Sequence, residues 1–180
     1  MSPSNLPGGP TQDEVMAVAL FKLRLRDGDS MIDVGCGTGK VSIAAAKTGA
    51  NVVAIDRRPE AIRFAKKESA REGVKNIRFF CTEATEFLAD DDRTFDCAFV
   101  GGSHGLLEFL PVLATRVRRR IVVNAVLVST LQTAVAKMQE LGIFDEVVQV
   151  QIARSHAIAG SIMFRPIDPV YVIVGTGAAC

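Results

Sequence analysis

No apolar run in the chain approaches the ~18 residues that a helix needs to cross a bilayer. Runs such as Val122-Val123 and Ala125–Val128 are broken by Asn124, and no transmembrane helix is expected. The opening residues MSPSNLPGGP have neither a basic start nor an apolar core, so no secretory signal is expected and a cytoplasmic location is the default. Cys36, Cys81, Cys97 and Cys180 form no CxxC or Cys/His spacing. That pattern argues against a metal site and against a secreted disulfide framework, so the four are read as reduced thiols. Excess charge is also missing: the net charge is +1, far from the basic stripe of a dedicated nucleic-acid binder. The small imbalance is local, with seven basic and four acidic side chains in residues 109–180 against 14 and 16 in residues 1–108. Within it, Arg116, Arg118, Arg119 and Arg120 form a short cluster that reads either as a solvated helix end beside a strand or as a contact for phosphates.

What is present is an ordinary globular balance, 48% hydrophobic and 23% charged over 180 residues, enough for one domain spanning 1–180. Residues 1–10 are expected to be a flexible lead. An N-terminal helix over 11–26 is expected to open at the capping box Thr11-Gln12-Asp13-Glu14. Strand-like and helix-like segments then alternate, the pattern of an α/β fold with a parallel sheet covered on both faces. The expected strands are Ser30–Val34, Asn51–Ile55, Asn76–Cys81, Phe95–Val100 and Arg120–Ala125. The expected helices are Lys40–Thr48, one from Pro59 to Glu72, a short one at Ala84–Leu88, Leu106–Arg116 with a kink at Pro111, and Ser129–Leu141. The last part differs: Phe144–Ala153 and Pro169–Val174 read as strands flanking residues 154–168, which carry no convincing helix. A terminal antiparallel hairpin over 144–175 follows, its alternation at Val147–Ile152 marking one wetter face.

Asp33-Val34-Gly35-Cys36-Gly37-Thr38-Gly39 follows the first strand and opens a helix, so backbone amides at a helix N-terminus can approach a ligand without an intervening β-carbon. A P-loop is excluded, because counting back from Gly39-Lys40 puts Val34 where its first glycine belongs and Val41 where its hydroxyl belongs. The dinucleotide fingerprint fails at Lys40, where a small residue is required. GxGxG preceded by an acid fits a smaller cofactor. Asp56, at the end of the second strand, is placed to accept hydrogen bonds from both ribose hydroxyls of a nucleoside, or else to cap the helix that opens at Pro59. Thr82, Glu83 and Ala84 reach the same sheet edge and offer a polar side chain and an amide to an adenine.

These residues resemble the class I S-adenosylmethionine-dependent methyltransferases, whose first motif reads much like DVGCGTG. The resemblance implies a Rossmann-like sheet of order 3-2-1-4-5-7-6 with strand 7 antiparallel, in agreement with the hairpin read above. It implies S-adenosyl-L-methionine as the cofactor, with Asp33 near the ammonium end of the methionine moiety, by direct contact or by fixing the loop. After the fourth strand, Val100-Gly101-Gly102-Ser103-His104-Gly105 stands where many nitrogen methyltransferases carry Asn/Asp-Pro-Pro-aromatic. That departure argues against amide, adenine or guanine acceptors. The glycines Gly101 and Gly102, with Ser103, leave room for a bulky substrate, and His104 is the titratable side chain among them, a candidate for proton transfer or a structural residue.

Across most of its length the chain further resembles the T-type precorrin methyltransferases of cobalamin biosynthesis, which methylate carbon 15 of a corrin precursor and decarboxylate its carbon-12 acetate. The likeness rests on Pro7-Gly8-Gly9-Pro10-Thr11 with Glu14-Val15, on DVGCGTG, on Ala54-Ile55-Asp56-Arg57, on Val100–Ser103 and on Asp168-Pro169-Val170, where the family usually has Asn-Pro-Val. It implies that Thr11, Gly35, Cys36, Gly37, Thr38, Gly39, Asp56 and Ala84 contact the cofactor. It also implies a homotetramer, with exposed Ile158, Ile162, Met163 and Phe164 as the apolar surface. A separate E-type precorrin methyltransferase becomes a candidate partner, and the free-standing chain favours the anaerobic, cobalt-containing route. The tetrapyrrole substrate is a polycarboxylate, and residues 147–167 hold Arg154, His156 and Arg165 with no acid, so Arg154 and Arg165 are the candidate carboxylate ligands. The rival is a tRNA adenine methyltransferase using Arg116–Arg120 on phosphates, for which an added RNA-binding region is absent. A non-catalytic subunit would be expected to have lost the glycines or Asp56.

Overall fold

The structure, a computed structural model, describes residues 9–178. In chain order its elements are α1 (Asp13–Leu23), β1 (Ser30–Val34), α2 (Lys40–Lys47), β2 (Asn51–Asp56), α3 (Pro59–Arg71), β3 (Ile77–Cys81) and α4 (Ala84–Asp90). They continue with β4 (Phe95–Val100), α5 (Leu106–Arg116), β5 (Val117–Ala125), α6 (Val128–Glu140), β6 (Phe144–Ile158) and β7 (Ser161–Thr176). The seven strands form one sheet in the order β3-β2-β1-β4-β5-β7-β6. Strands β1 to β5 pair parallel, and β7 returns antiparallel between β5 and β6. The expected class I methyltransferase sheet, with its antiparallel seventh strand, is therefore present.

Near-continuous runs such as Met31–Val34, Val52–Ile55 and Cys97–Val100 are what a strand covered on both faces needs. Alternation divides them between two cores. Met31, Cys97, Phe99 and Val122 pack with α1, α2 and α3, while Ile32, Val34, Val100 and Val123 pack with α4, α5 and α6. Because all five parallel strands end at one edge, the glycine loop after β1, Asp56 at the end of β2, Gly101–His104 after β4 and Asn124 on β5 are gathered there.

Three expectations change. The N-terminal helix is shorter than 11–26: Gln12 is its N-cap, without a side-chain cap bond, and it ends at Leu23 with Arg24 left-handed. Thr11 lies one residue before the cap, and its carbonyl accepts from the Lys40 ammonium at 2.6 Å. Strand β5 starts at Val117, with a register shift against β4, so Arg118–Arg120 belong to a strand and only Arg116 to a helix end. The largest change is in residues 154–168, which are strand on both sides of a two-residue turn. Arg154 pairs with Arg165 and Ile158 with Ser161 across the turn Ala159-Gly160, where both residues have positive φ, as a two-residue hairpin turn of type I′ requires. Both faces of this outer hairpin are exposed, so its sequence carries no period-2 signal. The expected flexible lead lies mostly outside the described residues, as do Pro7, Gly8 and Cys180.

Candidate active site

The loop Gly35–Gly39 turns back so that the amides of Gly35 and Cys36 both bond the Ile55 carbonyl, at 2.9 and 3.0 Å, locking β1 to β2 at the edge. A β-carbon at Gly35, whose φ is +74°, would sit 2.7 Å from the Gly102 amide nitrogen, and one at Gly39 would sit 2.8 Å from the Ala65 methyl. These two glycines are fixed by close backbone approach, on one side to the loop after β4 and on the other to α3. Lys40, the residue that excludes a dinucleotide loop, has a different task. Its ammonium bonds the Thr11 carbonyl and pairs with Asp13 at 2.7 Å, which straps the segment before α1 across the mouth of the glycine loop.

Asp56 is 4% exposed and accepts from the Gly37 amide at 2.9 Å, so the acid and the glycine loop are one unit. Burial pushes its carboxyl up, but bonds from Arg58 and from the Arg58 and Gly37 amides outweigh this and hold it below the usual carboxylate range. Asp33 goes the other way. It is fully buried beneath the loop, the Ser42 hydroxyl donates to one of its oxygens, and the other oxygen has no hydrogen-bond partner. Burial raises its carboxyl to about 7, the Ser42 bond opposing and the nearby Asp56 charge adding to the rise. Burial likewise pushes the Cys36 thiol up, with Asp33 and Asp56 reinforcing it, so Cys36 is an inert packing group in the loop.

Two adjoining clefts open along the edge. One, of about 440 Å³, runs from Asp56 past Thr82 and Ala84 to Gly101, Gly102, Ser103 and His104. The other, of about 460 Å³, is bounded by Thr11, by Gly35, Cys36, Gly37 and Thr38, and by Asn124 and Asp168. Gly35, Arg58 and Gly101 border both. The expected cofactor residues thus come together, with Gly39 behind the lining as a packing position. His104 and Ser103 border the first cleft, and both are exposed.

Arg154 and Arg165 border neither cleft. They face each other on the outer hairpin, and Arg154 pairs with Glu14 of α1 at 2.8 Å. The arginines at the clefts are Arg57 and Arg58, which sequence reasoning missed although they directly follow Asp56. Asn124, whose side-chain oxygen is buried without a partner, and Asp168 were likewise not expected to line a cleft. The Arg116–Arg120 cluster lies at the opposite edge, where β5 begins. Arg116 pairs with Asp92 at 2.8 Å, Arg118 with Asp96 at 3.6 Å, Arg119 with Asp29 and Arg120 with Asp145.

The family model for the precorrin methyltransferase domain matches residues 7–176. A protein of Methanosarcina acetivorans named "Probable cobalt-precorrin-6B C(15)-methyltransferase (decarboxylating)" is 45% identical over 95% of both chains. Among solved structures, the precorrin 8W decarboxylase of Methanobacterium thermoautotrophicum superposes with a TM-score of 0.90 at 33% identity, covering 97% of this chain and 95% of that one. The precorrin-6y C5,15-methyltransferase of Geobacter metallireducens gives a TM-score of 0.87 at 34% identity, covering 93% and 90%. This chain belongs to the precorrin methyltransferase family.

Proposed function

We infer that the protein is an S-adenosylmethionine-dependent enzyme that methylates carbon 15 of a precorrin and removes the carboxyl of its carbon-12 acetate. The observation that carries this reading is the unit formed by Asp56 and the Gly37 amide at the carboxyl edge of a class I sheet. The residues fit the cofactor by their chemistry: an ionised buried carboxylate for ribose hydroxyls, amides freed of β-carbons beside it, and a buried unpartnered oxygen on Asp33 below. S-Adenosylmethionine supplies an electrophilic methyl group on a sulfonium.

In this reading Asp56 accepts from the ribose and the Ala84 amide, at the start of α4, meets the adenine. Gly35–Gly39 and Thr11 enclose the methionine portion. Gly101, Gly102 and Ser103 form a floor with little side-chain bulk, so a planar macrocycle can approach the methyl group. The acceptor is an electron-rich carbon, and its transfer needs alignment more than a strong base. In the decarboxylation, the C–C bond to the carboxyl breaks, carbon dioxide leaves, and the electron pair enters the conjugated ring. The protein's part is to orient that carboxylate, with His104 exposed beside the floor to move a proton. The RNA reading gains nothing from Arg116–Arg120, since each is paired with a carboxylate on the far edge.

The same reading makes the protein a homotetramer, supported by the outer hairpin, where Ile158, Ile162, Met163 and Phe164 are between 48% and 71% exposed. Arg154 and Arg165 would then serve a tetrapyrrole only where this hairpin overhangs a neighbouring subunit's cleft. The test is incubation of the purified protein with a cobalt-precorrin and labelled methyl donor. One methyl gained per carbon dioxide released is expected; methyl transfer without carbon dioxide would overturn the decarboxylating assignment.

A further inference from the structure

An ionised carboxylate has about four acceptor positions, two on each oxygen. All four on Asp56 are filled from within the chain. Oδ1 accepts from the Arg58 amide at 3.0 Å and from Arg58 Nε at 2.9 Å. Oδ2 accepts from the Gly37 amide at 2.9 Å and from Arg58 Nη2 at 3.0 Å. Two of these bonds are from backbone amides of the loop and turn that shape the site. The other two are a side-on guanidinium fork, the geometry that binds a carboxylate most specifically. A ribose whose two hydroxyls are to be held by the same carboxylate needs two acceptor positions, and only those of the fork can be vacated without dismantling the loop. The guanidinium also lies against the glycine loop, 3.8 Å from where a Gly37 β-carbon would be, and borders both clefts.

We propose that Arg58 sets the affinity of the cofactor site by competing with the ribose hydroxyls for Asp56, so that cofactor entry requires the guanidinium to swing off the carboxylate. This rests on the assignment of Asp56 to the ribose. Its consequence is counterintuitive for a basic residue in a cleft: removing it strengthens cofactor binding. A competing internal ligand weakens the apparent affinity by the factor by which its own closed form outweighs its open form.

The test is calorimetric titration of S-adenosylhomocysteine and of adenine into the wild type, Arg58→Ala, Arg58→Lys, Asp56→Asn and the double variant Asp56→Asn/Arg58→Ala. Arg58→Ala is expected to bind S-adenosylhomocysteine at least about fivefold more tightly, and Arg58→Lys, which keeps the charge but lacks the fork, to fall between it and the wild type. Adenine, which has no ribose, is expected to bind the wild type and both Arg58 variants alike, an equality that a general loosening of the site would not preserve. In the Asp56→Asn background, removing Arg58 is expected to give no gain. Unchanged or weaker binding by Arg58→Ala overturns the proposal, and if that variant does not fold, the same outcome in Arg58→Lys does so. If Asp56→Asn weakens binding while neither Arg58 variant gains, only this inference fails; if Asp56→Asn binds like the wild type, the ribose assignment fails with it.

Discussion

The edge formed by β1, β2 and β4 and the outer end of the β6–β7 hairpin are both made of extended chain, yet they are held by opposite means. At the edge, every strand is covered on both faces, and loop positions are fixed by backbone contacts as tight as Gly35 against Gly102. In the outer hairpin, residues 153–166 are exposed apart from half-buried His156, and they are held by ladder bonds to one partner strand and by the ion pair of Arg154 with Glu14. A two-stranded ribbon of that kind is marginal in water by itself. The difference teaches that the cleft-bearing edge is specified by packing from every side, whereas the outer hairpin rests on its own ladder and on the ion pair from Arg154 to Glu14.

The sharpest way to break this comparison is a matched pair of aromatic truncations. Phe109 of α5 is 1% exposed in the core under β4 and β5, and Phe109→Ala is expected to cost about 3–5 kcal/mol in urea unfolding. Phe164 on the hairpin is 66% exposed, so Phe164→Ala is expected to leave subunit stability within about 0.5 kcal/mol while reducing the mass seen by light scattering. A hairpin variant that unfolds the subunit as readily as the core variant would erase the distinction.

Next in size is the edge itself. Asp56→Ala removes the carboxylate that holds the glycine loop and to which the proposed function assigns the ribose, and should weaken S-adenosylhomocysteine binding by about 1.5–3 kcal/mol for each hydrogen bond lost, the value of a bond to a charged group. Hydrogen exchange should show the hairpin amides untouched by that change. Unaltered affinity in calorimetry would take Asp56 out of the site.

A further effect separates the two regions by pH. Asp33 titrates near 7 in the folded chain, against 3.8 ordinarily, because it is buried with one oxygen unpartnered. Between those values the folded state keeps a proton that the unfolded chain has released, so this group makes stability fall as pH rises, by up to about 1.4 kcal/mol per pH unit, and the fall ends above about pH 7. Asp33→Asn keeps the shape and lacks the titration. The stability difference between variant and wild type should therefore grow in favour of the variant from about pH 4 to 7 and then level off. Parallel curves would mean that Asp33 is already ionised across the range.

Sequence reading reached the edge and stopped short of the hairpin for physical reasons. A strand buried on both faces announces itself by an apolar run, and a loop like Gly35–Gly39 by its close-set glycines, so the parallel strands and the glycine loop were legible, while the order of the strands came from the resemblance to the class I methyltransferases. The outer hairpin has no buried face, hence no alternation, and its two-residue turn is Ala159-Gly160 without the usual Asn or Asp. Charge content suggested Arg154 and Arg165 as ligands because residues 147–167 have no acid. The partner of Arg154, Glu14, comes from α1, 140 positions away, where no local pattern could show it. Arg58 was hidden differently: its importance lies in the four filled acceptor positions of Asp56, a matter of side-chain geometry.

The smallest expected effect concerns that long-range pair. Arg154 and Glu14 are about half exposed, at 49% and 48% of their side chains, and join the outer end of the hairpin to α1. Exposed pairs of this kind are weakened by solvent and salt. Arg154→Ala should leave the urea midpoint of the subunit within the scatter of repeat measurements at high salt, and Glu14→Ala should match it, since each removes the same contact. Cofactor affinity should not change, because neither residue borders the two clefts. Steady-state kinetics then sharpens the comparison between regions. If the hairpin only braces the subunit, the Michaelis constant for a cobalt-precorrin is the same in Arg154→Ala and Glu14→Ala. If a neighbour's hairpin overhangs the cleft, Arg154→Ala raises that constant at unchanged kcat, the signature of lost uniform binding, while Glu14→Ala, which leaves the guanidinium in place, does not. We expect the second pattern from the assembled protein, and equal constants for the two variants would return the hairpin arginines to a structural role.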